Sequence, residues 1–172
     1  SDGFEVLTEK ASYAEGIVSA PGLLTFRRGA VSGTGVGMTY DKNTDVLTIL
    51  NRAHVIFLGE GEADSMELIG GAATYVRRDH LLIVERHAKL TRGAEEAEGE
   101  RATARLSETD DAVTHVEVRG SARVTGGSSA VRAMSADAID LNYSEDGVVL
   151  ERVELNGNGA VALFGADDST DR

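Results

Sequence analysis

Three glycines spaced two apart, Gly33, Gly35 and Gly37, run into Asp41-Lys42-Asn43-Thr44-Asp45, and together they are the densest chemical signals in the sequence. A glycine run can cradle a pyrophosphate, but only where a helix opens behind it and aims its N-terminal N–H groups at the phosphates. Here Val36, Met38 and Tyr40 alternate straight into the polar stretch, which is the pattern of a strand. Glycine inside a strand marks a bulge or the close approach of another backbone. The acidic segment starts like a calcium loop, which needs glycine at its sixth position and an acid at its twelfth. Val46 and Arg52 stand there instead. A charged hairpin turn is the expectation.

The four histidines, His54, His80, His87 and His115, offer no metal-ligand spacing. Three of them fall on the polar parity of alternating segments, so a strip of solvated imidazoles is expected and no metal site. No serine sits in a nucleophile elbow. The residues therefore predict no catalytic group, no cofactor and no enzyme.

Bulk composition narrows the classes further. The chain has 172 residues, 41% of them hydrophobic, with no Trp, no Cys and one Pro. That is one domain's worth, with a core resting on Val, Leu, Ile and Ala. A net charge of −12 excludes nucleic acid as a natural partner, because phosphates call for Lys and Arg. The opening Ser-Asp-Gly-Phe-Glu-Val-Leu reads as a trimmed or processed start.

The apolar runs repeat. Leu47–Val55, Leu82–Leu90, Val116–Val124 and Val153–Val161 each alternate apolar with polar residues, and each carries a small residue near its end. Those small residues, Ala53, Ala88, Ala122 and Gly159, lie 35, 34 and 37 residues apart. Tyr40, Tyr75, Leu106 and Tyr143 hold the same place before a polar turn in each unit. Such periods signal stacked units that share one continuous core. The inward parity comprises Met38, Tyr40, Leu47, Ile49, Ala53, Val55 and Phe57 in the first unit, and Leu82, Val84, Ala88 and Leu90 in the second. It continues through Val116, Val118, Ala122 and Val124, then Val153, Leu155, Val161 and Leu163. Alternation with a period of two predicts an all-β, antiparallel chain with hairpin turns at 41–45, 77–80, 107–111 and 144–147. Pro21-Gly22 is expected to turn between two early strands, and the glutamate-rich 92–101 to be a solvated hairpin tip. Residues 166–172 are expected to form a frayed polar tail beyond a single domain of residues 1–165.

From Tyr13 to Phe57 the sequence resembles the periplasmic lipopolysaccharide-transport proteins LptC and LptA, the OstA-like family. The shared features are Arg28, Gly29, Gly33, Gly35, Gly37, Tyr40 and Asp41, followed by a polar turn and a strand ending on Ala53 and Val55. The closing stretch from Ser135 to Gly165 is similarly typical, and the resemblance touches most of residues 11–165.

That resemblance implies a twisted, partly open β-jellyroll whose apolar groove holds the acyl chains of lipopolysaccharide or a similar glycolipid. It implies edge-strand pairing with other Lpt-type proteins or head-to-tail with further copies, forming a bridge from inner to outer membrane. It also implies a periplasmic location; LptC members are anchored to the inner membrane by an N-terminal segment that this sequence does not contain. The inward residues then become groove-facing and lipid-binding. The alternating pattern alone serves equally for a closed core in a solenoid-like docking module without a lipid ligand.

Overall fold

A computed structural model describes residues 3–59, 65–126 and 130–164. Every regular element among them is a strand, apart from one 3-10 turn at Arg77–Asp79. In chain order the strands are β1 (Glu5–Thr8), β2 (Ser12–Ala14), β3 (Ile17–Arg28), β4 (Val31–Asp41) and β5 (Val46–Phe57). Next come β6 (Met66–Gly70), β7 (Ala72–Val76), β8 (Leu81–Arg92), β9 (Glu95–Leu106) and β10 (Val113–Thr125). β11 (Val131–Tyr143), β12 (Leu150–Asn156) and β13 (Ala160–Leu163) complete the set. The all-antiparallel expectation holds.

The sheet is a meander. Its order is β1-β3-β4-β5-β6-β8-β9-β10-β11-β12, with β2 beside β3, β7 between β5 and β8, and β13 beside β11. β1 with β2, β6 with β7, and β12 with β13 are each the two halves of one interrupted ribbon. Counting them so, ten ribbons lie side by side, each paired with its sequence neighbours, and two ribbons make one repeat.

Every ribbon bends near its middle. β8 carries one extra residue against β9, where Glu85 to Ala88 faces Arg101 to Gly99. The extra length is taken up by Arg86 and His87, both in the left-handed region at φ 62° and 63°. Equivalent breaks fall at Arg52 in β5, at Gly120 and Ser121 in β10, and at Gly157 and Asn158 between β12 and β13. Such bulges kink a strand and sharpen its twist. Aligned across a sheet, they fold it over on itself. Arg86 locks the alignment, donating from Nη2 to the carbonyls of Gly71 (2.8 Å) on the adjacent ribbon and of Leu50 (2.5 Å) in β5 one ribbon further on.

Glycine is required where the bent ribbons press together. A Cβ on Gly35 would sit 2.2 Å from Ile49 Cγ2, and one on Gly70 only 2.3 Å from Val84 Cγ1. Ile49 and Val84 are the last inward residues before the bends of β5 and β8. The glycine run thus serves close backbone approach, as its strand context predicts.

Two early readings are corrected. Pro21-Gly22 is no turn; β3 runs through it as a bulge, with the register shifting between Ala20 and Leu23. Pro lacks a ladder N–H, and a bulge is where a strand tolerates that. The reversal falls instead at Glu15-Gly16. The glutamate-rich 92–101 is not a solvated tip either, because β9 starts at Glu95 and its first side chain is buried. The four hairpin turns fall where the alternation placed them, and the tail from 165 onward lies outside the described residues.

Candidate functional site: an apolar interior between two sheet halves

Folding the meander over sets one apolar face against itself. Met38, Leu47, Ile49, Ala53, Val55 and Phe57 are buried in this interior, as are Leu82, Val84, Ala88 and Leu90. So are Val116, Val118, Ala122 and Val124. Tyr40, Val153 and Leu155 are partly buried and pack against the same cluster. Val161 and Leu163 stand apart: β13 lies at the C-terminal margin of the sheet and leaves them 50% and 62% exposed. Gly159, the fourth small residue of the repeat, lies exposed in the break before β13.

The interior also holds residues that the alternation did not nominate, among them Phe26, Leu68, Ala97, Ala102, Ala104, Ile139 and Leu141. Most belong to return strands that change parity at the bend. In β9 the buried set passes from Ala97 to Ala102, and in β11 from Ala136 to Ile139. An odd step breaks any search for period two. The signal that could have found them is the pairing itself, since all but Phe26 lie opposite a nominated residue in register, as Ala104 does with Leu82 and Ile139 with Val118.

The two halves are packed shut. A cavity lined by Phe26, Leu47, Ile49, Val55, Ala73, Tyr75, Leu82 and Val84 has a volume of only ≈ 10 Å³, about the room of one water. Residues from both ends of the bent strands line it, which shows the halves in contact.

Polar contacts close the mouth where opposite strand ends meet. At the N-terminal side Arg28, at the end of β3, donates to Asp45 Oδ1 at 2.5 Å, and Tyr40 donates to the same oxygen at 2.9 Å. Arg77 lies 3.6 Å from the other oxygen of Asp45. The rings of Phe4 and Tyr40 meet at 4.6 Å. Further along, Tyr143 donates to the buried Glu95 at 2.5 Å, and the Arg92 guanidinium lies over the Tyr143 ring at 4.7 Å. Arg92 also donates to the carbonyl of Gly147. Between these two clusters Tyr75 donates to Asp110 at 2.9 Å, which His80 also contacts at 2.6 Å. The tyrosines that recur before each turn therefore cap the interior. The acids of the first turn have separate duties: Asp41 Oδ1 accepts the Asn43 N–H at 2.9 Å, while Asp45 reaches across the mouth.

Burial raises the phenols of Tyr143 and Tyr75 well above the usual tyrosine range, with the neighbouring Glu95 and Asp110 carboxylates adding to it. Burial and then Asp45 raise Tyr40 in the same direction. Above about pH 10, where an unperturbed tyrosine ionises, the unfolded chain gives up protons that the folded chain keeps. The contribution of these tyrosines to stability is therefore expected to be level below that pH and to fall as pH rises above it. Urea midpoints at about pH 9 and about pH 11 check this, and Tyr143→Phe should flatten the decline.

The other histidines do not gather. His54 lies 3.2 Å from Glu67, His115 3.0 Å from Asp140, and His87 3.8 Å from Glu100, each across a different strand pair. No group of three His, Asp or Glu side chains close enough to share an ion is found among the described residues.

The meandering antiparallel sheet, bent over an apolar interior, has the β-jellyroll fold of LptA-like proteins. The crystal structure of LptH, the LptA-homologous periplasmic component of the lipopolysaccharide transport device of Pseudomonas aeruginosa, is similar to it with a TM-score of 0.58. The match covers 69% of this chain and 83% of that one at 19% identity. No family model and no curated protein matches the sequence.

Proposed function

We propose that this chain is a non-catalytic lipid-transfer protein of the periplasm, which takes the acyl chains of lipopolysaccharide into the interior between its sheet halves. The observation that carries this reading is the continuous apolar face running through all the repeats, within a fold shared with LptH. Chemistry supports it, because each methylene moved out of water is worth about 0.8 kcal/mol and no reacting group is needed. The lipid-facing residues are the interior ones from Met38 to Leu155; Val161 and Leu163 meet lipid only at the C-terminal margin. β1 with β2, and β12 with β13, are the two margins of the sheet. Their unpaired backbone groups suit strand addition to other Lpt-type proteins or to further copies, in a bridge between the membranes. Residues 1–165 act as one unit in this reading.

The packed interior favours one alternative, a docking module with a permanently closed core. Native mass spectrometry of the chain with purified lipopolysaccharide separates the two. Stoichiometric adducts on folded protein, competed by free lipid A, are expected for the carrier. No adduct at any lipid concentration, with the fold intact, would select the docking module.

A further inference from the structure

The contacts across the mouth differ from the interior they enclose. Inside, the two sheet halves meet through apolar side chains alone, whose attraction is non-directional. At the rim they meet through directed contacts between strand ends: Arg28 on Asp45 at one point, and Glu95 and Arg92 on Tyr143 at another. Glu95 is the one buried polar or charged residue among the described core positions, at 7% exposure. A buried carboxylate costs stability unless it is hydrogen-bonded, so Glu95 is a poor choice for a rim that only needs to be closed. Its partner is on the opposite half of the molecule, so the bond exists only while the mouth is shut. The same is true of Arg28 with Asp45. Meanwhile the cavity of ≈ 10 Å³ between the halves admits no acyl chain.

We propose that these two clusters are a pair of latches, and that lipid enters sideways through the mouth when Arg28–Asp45 and Glu95–Tyr143 part. The route rests on the carrier reading, whereas the latches themselves do not. Opening needs no strand to be broken. The bends of the ten ribbons act as one long hinge, and the ladder hydrogen bonds run along the sheet, not across the mouth. A hydrogen bond made only in the closed state biases the equilibrium toward it, so removing one of ordinary strength raises the open population about fivefold.

The test uses cysteine pairs, which are unique labels because the chain has none of its own. Arg27→Cys with Thr44→Cys spans the first latch, and Ala94→Cys with Glu145→Cys spans the second; all four side chains are exposed. Spin labels on each pair report the width of the mouth by pulsed electron resonance. Asp45→Asn and Tyr143→Phe, alone and together, should each shift the distance distribution outward at their own latch. Uptake of fluorescent lipid A should rise about fivefold per latch broken, and joining either pair with a short bismaleimide should slow it. Unchanged distances in folded variants would overturn the latches. Wider distances with no lipid uptake by any form would uphold the latches and remove the carrier reading. Undiminished uptake by the doubly joined protein would keep the carrier and overturn the sideways route. If Tyr143→Phe fails to fold, the joined wild-type pairs still decide the route, and Asp45→Asn decides the first latch.

Discussion

Val118→Asp is expected to unfold the chain. Val118 is completely buried where β10 is paired on both sides, with Ala102 of β9 and Ile139 of β11 in register. A carboxylate there has no partner, and an unpaired buried charge is among the few single changes that cost about 4 kcal/mol or more. At this chain length that corresponds to a loss of about 10 °C or more in Tm. Circular dichroism melts of the two proteins side by side decide it. A variant that melts with the wild type would mean that the interior is wet in solution and the two halves already stand apart. The experiment therefore measures the resting state of the interior independently of any lipid.

Gly70→Val should have the second-largest effect. The first atom of the new side chain would fall 2.3 Å from Val84 Cγ1 and 2.8 Å from the Glu85 carbonyl oxygen. A side-chain methyl can rotate aside, but a backbone carbonyl held in a bend cannot move without opening the ladder. Overpacking of this kind costs about 1–3 kcal/mol when only side chains yield, and more when backbone must shift. A loss of about 3 kcal/mol in urea is expected. The control is Gly29→Ala at the β3–β4 turn, where nothing lies within 4 Å. It should lose only the modest cost of its left-handed backbone. Equal losses at the two sites would show that steric approach at the bend is not what holds Gly70.

How much of this was legible in the residues depends on the strand. β5, β8 and β10 widen the step between their inward sets from two residues to four, as from Val84 to Ala88. The two-residue alternation passes through the bend undisturbed, and these strands announced both themselves and their inward faces. β9 and β11 step by an odd number at the same level, so Ala102, Ala104, Ile139 and Leu141 fell out of phase. β9 was further disguised by its glutamates, which normally signal solvent. Glu95 is buried only because Tyr143, 48 residues away, supplies a donor. No local pattern can foresee that. Pro21-Gly22 misled for a related reason: the pair is a strong turn signal, yet here a long strand uses it to bend. The latches were invisible for the same cause, since Arg28 and Asp45 lie at opposite ends of a hairpin and meet only after the sheet folds over.

The meander has a consequence for size. Because each ribbon leans only on its immediate neighbours, the cross-section of the interior is a local property and its length a tally of ribbons. Ten ribbons at about 4.8 Å apart run to about 43 Å. One further repeat of two ribbons would lengthen the molecule by about 10 Å and leave every existing cross-section as it was. A protein of this design can be re-measured for a wider gap by duplicating a segment of its gene, with no residue of the original interior needing to change.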